Sequence, residues 1–292
     1  MWRRAWIAGT LGFDSNANSG TDAIQISLPL FRDAVLDIQD KLGDLRRRAS
    51  PVTGLSAGFG IRDTLDERSE LRVSGTAVAR YNSRVAAYLP HDYWLGAEVD
   101  RRLGSFRPTL YMETVQRLIG RYRTVDASTL GARAEMLAPA RLRIAPFVDA
   151  TRKRLPVLDG LTMSERRYGL AIGHYALPLR LTVLSGRERS VDTRRYLDRD
   201  YAGFSLGWTA RAGESTLLQL ACEETRSRYV EYSQLFLGHR VDRFRELRIV
   251  LERRLPDAWF LTPQLVLQQN RSNIVLTSFA RQQVLFELRR EY

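Results

Sequence analysis

The chain has 292 residues, 44% hydrophobic and 27% charged, which is enough apolar content for one large domain or two small ones. Its 45 basic residues outnumber 33 acidic ones, giving a formal charge of +12 that points to an anionic partner. No run reaches the roughly 18–20 apolar residues of a spanning helix, and no secretion-signal pattern opens the chain. With one cysteine, Cys222, and three histidines, a disulfide framework and a Cys/His zinc module are also excluded, and neither metal nor cofactor is expected.

Segment after segment alternates between apolar and small or polar residues, the period of a strand with two unlike faces. Early in the chain, Leu55, Ala57, Phe59 and Ile61 alternate with Ser56, Gly58 and Gly60. Leu71, Val73, Ala77 and Ala79 then oppose Arg72, Ser74, Thr76 and Arg80. Ala202, Phe204, Leu206, Trp208 and Ala210 oppose Gly203, Ser205, Gly207 and Thr209, and Val284, Phe286, Leu288 and Tyr292 close the chain against Glu287, Arg289 and Glu291. In order, the predicted strands are 2–13, 51–61, 69–81, 92–102, 107–117, 123–136, 141–150, 166–175, 178–186, 200–210, 215–223, 241–252, 259–268 and 281–292.

Connection length separates a membrane barrel from a soluble sandwich. Short links near 62–68, 103–106, 138–140, 176–177, 211–214 and 253–257 alternate with long ones near 14–50, 82–91, 151–164, 187–199, 224–240 and 269–280. Short turns at one end and long loops at the other, with an even strand count, describe an outer-membrane barrel. The expectation is an all-β, antiparallel transmembrane β-barrel of about fourteen strands, forming one domain over 1–292 in the outer membrane. Trp6, Phe13, Tyr81, Tyr93, Trp94, Tyr201, Trp208, Trp259, Phe260 and Tyr292 fall at predicted strand ends and are expected to form the interfacial girdles. Pro146 and Pro263 lack a ladder N–H, so local bulges or tilted strand ends are expected there.

Several features carry functional expectations. Val284, Phe286, Leu288 and terminal Tyr292 resemble the last-strand signal read by the barrel-assembly machinery, with Arg290 interrupting the outward set. Arg72, Arg80, Arg143, Arg180, Arg248 and Arg289 are expected to face inward toward Asp100, Glu113, Asp149, Glu223, Glu246, Glu252 and Glu287, bracing the wall or lining an anion-selective pore. Arg187, Arg189, Arg194, Arg195, Arg226, Arg228 and Arg240 are expected in loops, facing lipopolysaccharide phosphates or an anionic passenger. Nucleic-acid binding is disfavoured because arginine and carboxylate are interspersed, and no recognised module appears. Catalysis is not expected: His91, His174 and His239 belong to no motif pairing them with a nucleophile.

The two chain ends carry a resemblance. Leu11-Gly12-Phe13-Asp14-Ser15-Asn16-Ala17-Asn18, and Asn270-Arg271-Ser272-Asn273-Ile274 followed by Phe279, Arg281, Val284, Leu288 and Tyr292, are similar to the first loop and final hairpin of the surface lipoprotein assembly modifier barrel. Asp14, Ser15, Asn16, Asn18, Asn270, Ser272 and Asn273 read either as a binding element or as residues that turn the backbone at strand ends. The resemblance implies a monomer that helps move a lipoprotein client, or another passenger, to the cell surface without covalent chemistry. That family places helical repeats before its barrel, whereas this chain opens on its first strand at Met1-Trp2-Arg3-Arg4, so a fragment or a barrel-only relative is expected. A porin or exopolysaccharide-export channel is the alternative.

Overall fold

The computed structural model describes all residues except 22, 24, 32–33, 38–45, 86–89, 120–121 and 175. The strands are β1 (Trp2–Asp14), a short pair β2 (Gln25–Leu28) and β3 (Ala34–Asp37), then β4 (Ser50–Thr64), β5 (Ser69–Asn82), β6 (Pro90–Arg101), β7 (Phe106–Ile119) and β8 (Tyr122–Ala138). After these come β9 (Leu142–Leu155), β10 (Leu161–His174), β11 (Leu179–Ser190), β12 (Arg199–Arg211), β13 (Thr216–Ser233), β14 (Gly238–Arg254), β15 (Trp259–Ser272) and β16 (Phe279–Glu291). All except β2 and β3 form one closed antiparallel barrel in which each strand pairs with its sequence neighbours and β16 pairs with β1. Closure follows from the alternation: an apolar face turned to lipid can satisfy its backbone amides only if the sheet has no free edge.

The fourteen expected segments all become barrel strands, and several run further than expected at the long-loop end. The expected loops at 151–164 and 224–240 shrink to 156–160 and 234–237, because the alternation continues there in arginine and polar residues rather than apolar ones. Neither proline produces a bulge. Pro146 pairs in register with Leu170 and Pro263 with Phe286, and each ladder keeps its register past the residue that cannot donate. The register shifts lie instead near the loop end, between Arg117 and Leu118 on β7 and between Arg228 and Tyr232 on β13.

Outward positions carry the apolar set, with Leu11 64%, Leu55 72% and Leu110 65% exposed, as a wall facing hydrocarbon requires. Phe13, Tyr81, Tyr93, Trp208, Trp259 and Tyr292 share that outward phase, whereas Trp6, Trp94, Tyr201 and Phe260 face the lumen, correcting the expected girdles. The inward rings lie on glycines or arginines. A Cβ on Gly58 would stand 2.6 Å from the Trp6 indole, and one on Gly96 2.6 Å from Trp94, while Arg289 covers the Phe260 ring at 4.9 Å. Gly58→Ala is therefore expected to lower the unfolding midpoint by an overpacking cost of about 1–3 kcal/mol. Gly60→Ala, with 3.6 Å of clearance to Trp2, should leave it nearly unchanged. Heat-dependent gel mobility of the two variants separates these outcomes.

Candidate functional site

Strand register turns Arg72, Arg143, Arg248, Glu246 and Arg289 into the barrel, together with the carboxylates that strand alternation places beside them. At the short-turn end of β4 to β8, Arg72 reaches Glu98 at 2.6 Å and Asp100 at 2.5 Å. Arg107 holds the other Asp100 oxygen at 2.5 Å, and Arg133 reaches Glu98 at 3.0 Å. Asp100 is 3% exposed, and these two guanidinium groups are its ion-pair partners. Further round, Arg167 and the Tyr111 hydroxyl hold Asp149, Lys153 bridges Glu165 and Glu188, and Arg199 completes Glu188 at 2.9 Å. Arg248 pairs with Glu246 at 2.7 Å, and Arg289 joins Glu252 and Glu291. Crosslinks spanning three strands brace a wall, and they also leave most lumenal arginines matched by carboxylate. Arg143 lines, with Arg180 and Glu135, a cleft of about 450 Å³ at the short-turn mouth.

The loop-end mouth is organised where the chain ends meet. Asp14, 1% exposed, receives Arg281 Nη2 at 2.5 Å, Gln283 Nε2 at 2.8 Å and the Asn16 amide at 2.9 Å. Asn16 donates to the carbonyls of Gly20 and Ala280, and Ser15 accepts from the Gln282 amide. Asn18 donates to the Arg46 carbonyl and accepts from the Arg48 amide, which joins the outgoing and returning limbs of the first loop into a stalk. Across the seam, Asn270 donates to Thr277, Ser272 accepts from Ile274, and Asn273 bonds both His239 and Val241. These seven residues therefore serve the backbone at strand ends, and they gather at β1, β14, β15 and β16. Thr21 donates to the Val275 carbonyl and the Leu30 amide to that of Leu235, so the first loop leans over the β15–β16 and β13–β14 hairpins. Within this loop β2 and β3 pair with each other, and residues 38–45 lie outside the described residues.

Five arginines expected in loops lie on strands. Arg187 and Arg189 belong to β11, Arg226 and Arg228 to β13, and Arg240 to β14; all but Arg240 share the outward phase. Arg194 and Arg195 alone of that set occupy a loop. There, Arg194 and Ser190 bond Asp192 and hold its carboxyl well below the usual range. A depressed carboxylate contributes order that is present above its ordinary pKa and is lost as the pH falls through the depressed value. The 191–198 loop should therefore keep its hydrogen-exchange protection from neutrality down to about pH 4 and lose it below. Early loss near pH 6 would contradict this pairing.

Val284, Phe286 and Leu288 face lipid along β16, and Arg290 among them covers the Trp259 and Tyr292 rings at 5.6 and 5.2 Å. Among the described residues, no group of three or more His, Cys, Asp or Glu is placed to hold a metal ion.

An ionic interior inside a closed wall with an apolar exterior is the architecture of an outer-membrane β-barrel. No protein-family model matches the sequence, and no curated protein does. Among solved structures, the chain is similar to the outer membrane channel DcaP of Acinetobacter baumannii, with 11% identity, 100% and 96% of the two chains covered, and a TM-score of 0.51. It is also similar to the outer membrane protein OpdK of Pseudomonas aeruginosa (5% identity, 100% and 99% covered, TM-score 0.52) and to OccK9 of the same organism (6%, 99% and 97%, 0.53). At such identities the likeness is one of fold, and it agrees with the outer-membrane barrel defined by the wall.

Proposed function

We propose that the barrel is an outer-membrane conduit that passes polar cargo and performs no covalent chemistry. The observation that carries this reading is the lumen itself, which is lined from end to end by hydrogen-bonded charge inside a lipid-facing wall. Because carboxylates match most of those arginines, ionic selectivity should be weak rather than strongly anionic. Reconstitution in planar bilayers tests this, with a reversal potential close to zero expected under a salt gradient. Reversing the short-turn mouth with Arg143→Glu and Arg180→Glu should move the potential toward cation preference. A barrel that neither conducts nor admits small sugars into liposomes would sink the conduit reading.

A second reading takes a lipoprotein as the passenger. It is favoured by the meeting of the two family-like ends in one hydrogen-bonded seam, through Asp14 with Arg281, and Asn16 with Ala280. On that reading the barrel is a monomer inserted by the barrel-assembly machinery through its last strand, and protease accessibility of surface lipoproteins should fall when the gene is removed. Unchanged surface display would exclude it and leave solute passage.

A further inference from the structure

The outer wall is not uniform around the barrel. On β1 and β4 to β7 the outward positions nearest the loop end are Phe13, Pro51, Tyr81, His91 and Leu118, none of them an arginine. On β9 to β11 and β13 to β15 the apolar band stops lower and outward arginines take over, while on β12 the outward residue at that level is Asp200, which holds Arg189 at 2.5 Å. On β14, Leu247, Ile249 and Leu251 lie between Arg245 and Arg253. At about 3.4 Å per residue and a tilt near 40°, those two arginines are about 20 Å apart along the membrane normal. Arg245 thus reaches the head-group boundary opposite the short turns, and Arg243 stands above it.

The placement of these arginines across the ladder is unusual. Arg226, Arg243 and Arg271 are direct cross-strand neighbours on three adjacent strands, and Arg166 faces Arg187 on another pair. Like charges directly opposite one another destabilise a sheet unless an anion lies between them. Glu224 takes Arg243 at 2.7 Å, but among the described residues no carboxylate lies within ion-pair distance of Arg226, Arg271, Arg166 or Arg187. In the lumen, by contrast, most arginines are met by carboxylate. The missing anions must come from the medium that the outer face touches.

We propose that the outward arginine rows of β9 to β11 and of β13 to β15 form a binding surface for the phosphates of the outer-leaflet glycolipid. Guanidinium forks bind phosphate with two parallel hydrogen bonds, and rows one strand spacing apart suit a lipid bearing more than one phosphate. The occupant is a lipid because the rows point away from the lumen at the level where the hydrocarbon band ends. Nothing in this inference depends on what passes through the barrel.

The purified, refolded full chain in detergent, titrated with bis-phosphorylated lipid A, tests the surface by native mass spectrometry and by the shift in unfolding temperature. Lipid A is expected to bind and raise the midpoint, while the triple variant Arg226→Gln, Arg243→Gln, Arg271→Gln should lose at least tenfold in affinity. The control pair Arg3→Gln, Arg253→Gln, outward at the short-turn end, should bind as the parent does. Heat-modifiable migration of each variant without lipid reports whether it folds. Should the triple variant misfold, the pair Arg166→Gln, Arg187→Gln serves instead, with a severalfold loss expected. Equal affinity in folded parent and triple variant, or equal binding of dephosphorylated lipid A, would overturn the proposal. Equal binding of phosphatidylglycerol would overturn its assignment to the glycolipid.

Discussion

Removal of residues 281–292 is expected to abolish barrel formation altogether, with no heat-modifiable species in the outer-membrane fraction. β16 pairs with β1 from Trp6 to Asp14 and with β15 from Trp259 to Asn270, so its loss opens two ladders at once. Each unpaired backbone group left in hydrocarbon costs several kcal/mol, and the sum far exceeds the stability of any single domain. The deletion also removes Val284, Phe286 and Leu288, the outward residues that offer lipid contact at the closing seam. Tyr292→Ala should be far milder, because Tyr292 is 64% exposed and its ring contact in the chain is with Arg290. A truncated chain that still migrated as a compact barrel would mean that β1 and β15 pair directly and that closure does not need the last strand.

The strands were legible because one chemical contrast, lipid outside and water inside, is written at every second residue. Leu55 against Ser56 and Leu71 against Arg72 give both the strand and its facing. That contrast fades where the wall leaves hydrocarbon, which is why Arg187, Arg226 and Arg228 resembled loop residues although they continue β11 and β13. Aromatic residues defeated the same logic. Trp6 and Trp94 are apolar enough for either face, and each lays its ring over an empty Cβ position, at Gly58 on the neighbouring strand for Trp6 and at Gly96 on its own strand for Trp94. For Trp6 the signal was present as glycine at the partnered position, but using it requires the register. The seam was legible in part. The polar runs Asp14–Asn18 and Asn270–Asn273 marked strand ends, yet nothing local tied Asp14 to Arg281 across the whole sequence.

That tie supplies the second large effect. Asp14 is 1% exposed and Arg281 22% exposed on its side chain, and the carboxylate also carries the Gln283 amide and the Asn16 N–H. Removing one partner from a buried ion pair leaves the other desolvated and unpaired, at a cost of about 3–5 kcal/mol. Asp14→Ala is therefore expected to lower the unfolding midpoint sharply. Because Asn16 is held by the same carboxylate, it should also free the first-loop stalk, seen as faster proteolysis within 15–50. Arg281→Ala strands the carboxylate instead and should cost a similar amount. The double variant should cost clearly less than the two single effects added, since the second deletion removes the charge that the first left unpaired. Strict additivity in that cycle would mean that water reaches the seam and screens both groups, and the first loop would then owe its position to its other hydrogen bonds, among them Asn16 to Ala280, Thr21 to Val275 and Leu30 to Leu235.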